Sequence, residues 1–403
     1  MRGVDFWEMN LKFLFFYYVI NAKLSDQCSP PVYKAQISRA IYSFSVELLR
    51  ETTKESHNFA ISPAALWHDL MFLSRGASGR TRDQVTRLLN PPKRKCPTRA
   101  LRKLYDGLKY LDYDLESRRC VGVVVVGAER NLTVEYKRLL RVQLGVLLLN
   151  IGDERLDDEQ GSVNGLVSGV VERTFTEFVD RSFFGAPQGS FGLFDVNIFR
   201  ASIKIPLRRD RPVARPFYDE AGQTVGRFDM LHKTDLYRIV DVPQVRAKVI
   251  EIPLDAMRKF SLMVFLPETG GTVREVLDGL VDFPFELVFQ MFSSVRKRRV
   301  QLLMPPMDVN TTTDFKSSLQ RLGVKKMFEA SAEFSEISSG ELFVSNFRQF
   351  SHVQLYKEDI EADETGSNLD YDSINFEANK PFLFYVMDTF YNMIMYCGIY
   401  SVA

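Results

Sequence analysis

Residues 379–400 read NKPFLFYVMDTFYNMIMYCGIY, and this stretch decides the fold. It contains two apolar runs, residues 382–387 and 393–398, joined by the short segment DTFYN. Two apolar runs with a short connection predict an antiparallel β-hairpin. Cys397 lies in the second run, so we expect it to pack as a small buried hydrophobic side chain.

Further strands precede this hairpin. Residues 249–252 and 260–266 predict a second hairpin, with its turn at residues 255–258. Residues 299–304 predict a strand that Pro305 and Pro306 end. Residues 121–126 predict a strand that is buried on both faces.

Helical patterns lie mostly in the first part of the chain. They predict helices over residues 35–52, 64–73 and 80–89. Residues 313–322 predict another helix, closed by a glycine, and residues 134–149 fit either a helix or a strand. Because helices dominate early and strands dominate late, the pattern indicates an α+β fold rather than a parallel, doubly wound sheet.

Composition excludes several classes of function. The chain has 403 residues, 45% of them hydrophobic, and a net charge of +1, so its overall charge favours neither nucleic acid nor a membrane surface. It has four histidines, and no metalloprotease, nucleophile-elbow or phosphate-loop motif occurs. We therefore expect no enzyme activity, no cofactor and no metal.

The N-terminus is typical of a secretory signal. Lys12 precedes an apolar run at residues 13–20, which ends at Asn21-Ala22 and is too short to span a bilayer. We predict a signal peptide at residues 1–22, starting at Met1 or Met9, a tail at 23–34 and a single domain at 35–403. A buried N-terminal helix or strand is the alternative. No later stretch is apolar enough for a membrane anchor.

Two further features of the sequence depend on export from the cell. It would permit a disulfide, for which Cys96 and Cys120 are the closest pair in the sequence. It would also permit glycosylation at the sequons that begin at Asn131 and Asn310.

A series of short motifs resembles the serpin family. The segments NFAISP (58–63) and GASGRT (76–81) are similar to its first signature, and EIPL (251–254) with SLMVFLP (261–267) to its central hairpin. LGV (322–324), AEFS (332–335), LFVSN (342–346) and NKPFLF (379–384) follow in the family's order. The resemblance covers about 350 residues of this sequence and implies a serpin fold with three β-sheets, eight or nine helices and an exposed reactive-centre loop between residues 357 and 378.

The mechanism that the resemblance implies is conformational. A serine protease cleaves the loop and forms an acyl-enzyme, and the freed loop inserts as a new strand into the main sheet. The protease is then distorted before it can deacylate. The family default is therefore a monomer that acts on an extracellular serine protease.

The hinge of the reactive loop departs from the family pattern. Lys357 takes the place of a glutamate, Asp359 that of the hinge glycine and Ile360 that of a small residue, which gives the hinge segment Lys357, Glu358, Asp359, Ile360, Glu361, Ala362, Asp363 and Glu364. Asp359 lacks the backbone freedom of glycine, and Glu364 would point beneath the sheet after insertion. Burying an unpaired carboxylate is unfavourable, so we expect insertion to be slow and trapping to be impaired.

The resemblance also identifies positions that control opening of the main sheet, called the shutter and the breach. They correspond here to Ser62, Ala65, Asp195, Ile203 and Gln349. Four of them depart from the family, where a serine, an asparagine, a tryptophan and a histidine stand at 65, 195, 203 and 349. Ordinary drift of the core with trapping intact is the alternative interpretation.

The loop excludes one class of protease. No Lys or Arg lies between Glu358 and Ala378, and a trypsin-like pocket needs a cationic side chain. Leu369 or Tyr371 would suit the scissile position for a chymotrypsin- or elastase-like enzyme. Seven acidic residues between 358 and 376 also make the loop strongly anionic, and it would suit a basic partner.

Two basic clusters could bind a sulphated glycan. The first consists of Lys93, Arg94, Lys95, Arg99, Arg102 and Lys103, near the helix that binds such glycans in some serpins. The second is residues 296–299. The ordinary interpretation of either is a solvated charged surface.

The sequence leads to two hypotheses for the function of the chain. The first is a secreted serpin that acts on a serine protease with impaired trapping. The alternative is a non-inhibitory serpin that binds a protein, a glycan or a small ligand.

Overall fold

A computed structural model describes residues 30–53, 58–92, 118–127, 132–139, 147–151, 161, 163–165, 167–169, 178–179, 190–206, 214–254, 259–360 and 373–401. The helices in these ranges are α1 (Pro30–Thr52), α2 (Pro63–Gly76), α3 (Gly79–Leu89), α4 (Val134–Arg138), α5 (Val273–Leu280), α6 (Phe285–Ser294) and α7 (Lys316–Arg321). Helical residues between 161 and 169 belong to an eighth helix. Short 3₁₀ turns lie at Pro243–Val245 and Lys326–Phe328.

The strands are β1 (Phe59–Ile61), β2 (Arg118–Gly127), β3 (Leu147–Ile151), β4 (Ser190–Pro206), β5 (Ala214–Tyr218), β6 (Thr224–Asp229), β7 (Leu231–Val242), β8 (Ala247–Pro253), β9 (Phe260–Pro267), β10 (Arg298–Met304), β11 (Met307–Asp314), β12 (Phe343–Ile360), β13 (Ile374–Glu377), β14 (Phe382–Asp388) and β15 (Met393–Tyr400). Within the described ranges they form three sheets. The eight-stranded sheet has the order β1-β15-β14-β9-β8-β7-β10-β13, the five-stranded sheet the order β11-β12-β4-β2-β3, and β5 pairs with β6. The predicted α+β class with three sheets and eight or nine helices is confirmed.

The hairpin predicted from residues 379–400 lies inside the eight-stranded sheet, between β1 and β9. Strands β14 and β15 are antiparallel, and every residue in both is buried. Such strands need apolar side chains on both faces, which their sequences supply. Cys397 is completely buried in β15, as predicted. The second predicted hairpin, β8 and β9, is also confirmed.

The core lies between the two large sheets. Phe199 on β4 packs against Phe260 on β9 and Tyr396 on β15, with ring centroids 5.3 and 5.5 Å apart. Trp67 of α2 also belongs to the core and is completely buried, and its indole N–H donates to the Leu89 carbonyl at 3.0 Å. Helix α2 begins where Ser62 caps it and Pro63 occupies the first turn.

Some boundaries differ from the sequence predictions. The helix expected over residues 313–322 begins only at Lys316, because Thr313 and Asp314 are paired to β12 as the end of β11. Gly323 closes it with φ +94°, as expected. Helix α1 begins at Pro30, within the segment predicted as a tail. The ambiguous residues 134–149 contain both a short helix, α4, and the start of β3.

None of the described helices combines the length and the apolar composition that a bilayer crossing requires. The predicted signal peptide lies outside the described residues.

Candidate functional site

The candidate site is the parallel pair of strands β4 and β12, which we call the seam. The two strands pair directly from Phe343 opposite Ser190 to Ile360 opposite Pro206, with one irregularity between Val344 and Asn346. No other strand lies between them. The sheet is therefore closed at the place where an inserted loop would enter.

The first half of the predicted hinge is part of this seam. Lys357, Glu358, Asp359 and Ile360 lie in β12 opposite Ile203, Lys204, Ile205 and Pro206. Pro206, the last described residue of β4, has no N–H and therefore donates no hydrogen bond to the ladder. The other hinge residues, Glu361, Ala362, Asp363 and Glu364, and the candidate scissile residues Leu369 and Tyr371, lie outside the described residues.

A side-chain contact closes the top of the seam. The Ser202 hydroxyl on β4 donates to the Glu358 carboxylate on β12, and both residues are half-buried. Two residues earlier on β12, Tyr356 is 47% exposed, whereas Val353 and Leu355 are completely buried. The strand thus changes from a core strand to a surface strand just before the loop begins.

A buried polar group of five residues lies lower in the seam; we call it the shutter cluster. Its members are Ser62, Asp195, Asn197, Gln349 and Ser351, all no more than 4% exposed. Gln349 on β12 donates from Nε2 to Asp195 Oδ2 on β4 at 3.0 Å, and to the Ser62 carbonyl at 3.2 Å. The cluster therefore joins the two strands of the seam to each other and to the start of α2.

The remaining contacts orient Gln349 and Asp195. Gln349 Oε1 accepts from the Ser62 N–H at 2.7 Å and from the Ser351 hydroxyl at 2.9 Å. Asn197 Nδ2 donates to Asp195 Oδ2 at 2.5 Å. The Ser62 hydroxyl donates to the Met395 carbonyl of β15 at 2.9 Å, which ties the cluster to the eight-stranded sheet.

Asp195 is the charged member of the shutter cluster. Burial raises the pKa of its carboxyl to about 7, and the nearby Asp69 carboxylate raises this pKa further. Hydrogen bonds from Asn197 and Gln349 and the charge of His68 oppose the shift. Burial also raises the pKa of Asp69, on α2, to about 7. Two carboxyl groups with weakened acidity thus lie close together beneath the seam.

The structure brings together three of the five predicted control positions. Ser62, Asp195 and Gln349 share the shutter cluster, and Ala65 lies one turn into α2, with its N–H 3.4 Å from the Ser62 hydroxyl. Ile203 is instead at the top of the seam, opposite Lys357, and is buried. Eight positions along a strand separate it from Asp195, roughly 26 Å at the usual rise per residue.

Two members of the shutter cluster were not predicted from the sequence. Asn197 and Ser351 each lie two positions beyond a predicted member of the same strand. Alternate residues of a strand share a face, so this spacing was the available signal.

The other predicted sites are only partly described. Asn310 is exposed on β11, as a glycosylated asparagine must be. Asn131, the first basic cluster (Lys93, Arg94, Lys95, Arg99, Arg102 and Lys103) and Cys96 lie outside the described residues. In the second basic cluster, Arg296, Arg298 and Arg299 are exposed.

Relatives of this chain match it over most of their own length. Intracellular coagulation inhibitor 2 of Tachypleus tridentatus is 22% identical over 377 residues, which cover 90% of each chain. Serpin B9 of Homo sapiens is 24% identical over 381 residues, which cover 91% of this chain and 99% of the relative. The similarity therefore extends through the whole described fold.

Solved structures share the architecture. Native protease nexin-1 with heparin superposes with a TM-score of 0.79 at 18% identity, covering 93% of this chain and all of the other. This likeness establishes the serpin fold. Residues 39–402 match the family described as Serpin (serine protease inhibitor), so the chain belongs to the serpin family, whose members are in general inhibitors of serine proteases.

Proposed function

We propose that this chain is a secreted, monomeric serpin whose loop is cleaved by a chymotrypsin- or elastase-like protease and whose trapping is impaired. The chain would then be consumed mainly as a substrate. The observation that supports this proposal most directly is the closed seam, which includes the hinge residues as far as Ile360.

Trapping is a race between insertion and deacylation. Insertion requires β4 and β12 to part, starting at the top, where the loop leaves β12. Here the top is held by the backbone ladder as far as Pro206 and by the Ser202–Glu358 hydrogen bond. Each bond that must break before the loop enters slows insertion relative to deacylation.

The loop itself adds a second obstacle. Insertion would bring Glu364 beneath the sheet, where its carboxylate has to be protonated or paired. Asp359 lacks the freedom of the glycine that usually turns the chain at this position. Both features would slow insertion of the loop, as the closed seam does.

The test is incubation of the purified chain with chymotrypsin, elastase and trypsin, followed by denaturing electrophoresis. We expect chymotrypsin or elastase to cut the loop at or near Leu369 or Tyr371, with no SDS-resistant complex. Trypsin should leave residues 358–378 intact, because they contain no Lys or Arg. A stable band at the summed mass of chain and protease would show that trapping is intact and refute the proposal.

Secretion has its own support and test. Exposure of Asn310 on β11 leaves room for a glycan, and the N-terminal pattern predicts export. Expressed in secretory cells, the chain should appear in the medium and lose mass on enzymatic deglycosylation. The Asn310→Gln variant should lack one glycan. Retention of the unglycosylated chain in the cytosol would contradict this part of the proposal.

Glycan binding is a second candidate function, and it belongs with the non-inhibitory alternative. Arg296, Arg298 and Arg299 are exposed at or just before the start of β10. A similar structure is described as holding heparin. Elution from immobilised heparin near or above physiological salt, lowered by replacing these arginines with serine, would support this candidate. Elution in the low-salt wash would exclude it.

A further inference from the structure

Asp195 lies where the two strands of the seam must separate. It accepts hydrogen bonds from Asn197 on its own strand and from Gln349 on the opposite strand, and it is 4% exposed. The resemblance to the family leads one to expect a neutral asparagine here. The chain thus has a titratable group in place of a neutral one, at the point that holds the seam closed.

The groups around Asp195 make its charge state consequential. Among the described residues, α2 presents His68 and Asp69 to it, and β12 presents Gln349. Strand β2 presents Gly122, which carries no charge. His68 Nδ1 lies 3.4 Å from Asp69 Oδ1, and the charge of His68 lowers the pKa of Asp195.

We propose that Asp195 makes opening of the seam depend on pH, so that the seam is firmly closed in mildly acidic solution and loosens at neutral and alkaline pH. The two strands can stay together around a neutral carboxyl group, which fits the buried space. An ionised carboxyl group in the same position lacks water and faces Asp69, and parting of the strands relieves both effects by admitting water.

The direction of this pH dependence follows from the linkage between proton binding by Asp195 and closure of the sheet. Burial raises the pKa of Asp195 to about 7 in the closed sheet, whereas a hydrated aspartate has a pKa of about 3.9. The closed sheet therefore binds the proton more tightly than the open sheet. Its extra stability is fully present below about pH 4 and is lost as the pH rises through about 7. Because Asp69 titrates over the same range, the two acids lose their protons as a coupled pair.

This inference concerns the closed sheet itself and does not depend on whether the loop traps a protease. The two proposals can be tested separately, because they concern different parts of β12. The hinge lies at the top of β12, and Gln349 of the shutter cluster lies about eleven residues before Ile360. A failure of either proposal leaves the other intact.

The experiment is hydrogen–deuterium exchange at several pH values, after correction for the intrinsic exchange rate. The segments to compare are residues 349–355 of β12 and 194–199 of β4, with residues 382–387 of β14 as an internal reference. We expect opening of the two seam segments to increase about tenfold between pH 5.5 and 7.5, as the linkage predicts when the carboxyl is partly hydrated in the open form. The β14 segment should not follow this change.

Two variants identify the group responsible. Asp195→Asn should remove the pH dependence, whereas Asp314→Asn, an exposed acid on β11 of the same sheet, should leave it unchanged. Asp69→Asn should keep the pH dependence but shift it to lower pH, because a repelling charge is removed. If the wild-type seam opens equally at all pH values, or if Asp195→Asn opens with the same pH dependence, the proposal is wrong. Should Asp195→Asn fail to fold, the shift in Asp69→Asn decides the question.

Discussion

Ser202 on β4 donates its hydroxyl hydrogen to the carboxylate of Glu358 on β12, two residues before β12 ends at Ile360. This bond connects the predicted hinge to the strand from which it would have to separate during insertion. It is a side-chain contact that an inserting loop would have to break. The strength of this hydrogen bond would therefore affect the rate of loop insertion.

The Ser202→Ala variant should loosen the top of the seam. A hydrogen bond to a charged group at a half-buried site contributes about 1 kcal/mol, which is roughly a fivefold change in the opening equilibrium. Hydrogen exchange in residues 356–360 should therefore rise about fivefold, with little change in residues 349–353. Ser293→Ala, which removes a hydroxyl contact within α6, should leave exchange in β12 as it was. Unchanged exchange at 356–360 in Ser202→Ala would mean that the backbone ladder alone holds the top.

Gly398 on β15 is the most restrictive glycine for the fold. A β-carbon there would lie 1.9 Å from the Phe59 carbonyl oxygen of β1 and 2.7 Å from the Phe384 ring, too close for any relaxation short of displacing β1. We expect Gly398→Ala to lower the free energy of unfolding by more than about 3 kcal/mol. Urea unfolding followed by circular dichroism would measure this change.

Gly165→Ala is the matched control for Gly398→Ala. Gly165 is helical and exposed, and a β-carbon there would meet no atom within 4 Å. Alanine is favoured over glycine in a helix by up to about 1 kcal/mol, so this variant should be neutral or more stable. Equal losses of stability in the two variants would contradict the steric explanation.

The sequence predicted the fold well where apolar runs decide the structure. The hairpins β8–β9 and β14–β15 follow from runs that are too apolar to lie on a surface, and helix α2 follows from Ser62 and Pro63. It failed where tertiary pairing decides. Residues 310–314 form an edge strand because β12 supplies their partners, and their threonines suit a strand as β-branched residues.

The sequence predicted which residues belong to the candidate site, but it did not predict the contacts between them. Ser62, Asp195 and Gln349 could be named from motifs, yet nothing in the sequence showed that one glutamine amide joins both strands and α2. The proximity of Asp69 to Asp195 was also hidden, because the two lie 126 residues apart in the sequence, on α2 and β4. Electrostatic coupling of this kind depends on packing that local patterns do not encode.

Cys397 should be chemically silent in the folded chain. It is completely buried in β15, and burial raises the pKa of its thiol well above the usual value, so little thiolate forms at neutral pH. Iodoacetamide should leave Cys397 unmodified in native protein and modify it fully in guanidinium chloride. Peptide mapping by mass spectrometry separates it from the other three cysteines. Rapid native modification would show that β15 opens far more often than its burial suggests.

The hinge is the region where substitution tests the proposed impairment of trapping. Changing Asp359 to Gly and Glu364 to Ala together supplies backbone freedom at the turn and removes the carboxylate that would be buried. After cleavage of the loop, insertion adds a strand to the five-stranded sheet, so the doubly substituted chain should melt well above its uncleaved form. The cleaved wild-type chain should gain much less. Differential scanning calorimetry before and after limited proteolysis measures both gains, and Asp363→Ala, which would point to solvent in the same register, serves as the control. If cleavage raises the melting temperature of the double variant no more than that of wild type, either the register is misplaced or the seam, rather than the loop, prevents insertion. In the second case, adding Ser202→Ala to the double variant should restore the gain in melting temperature.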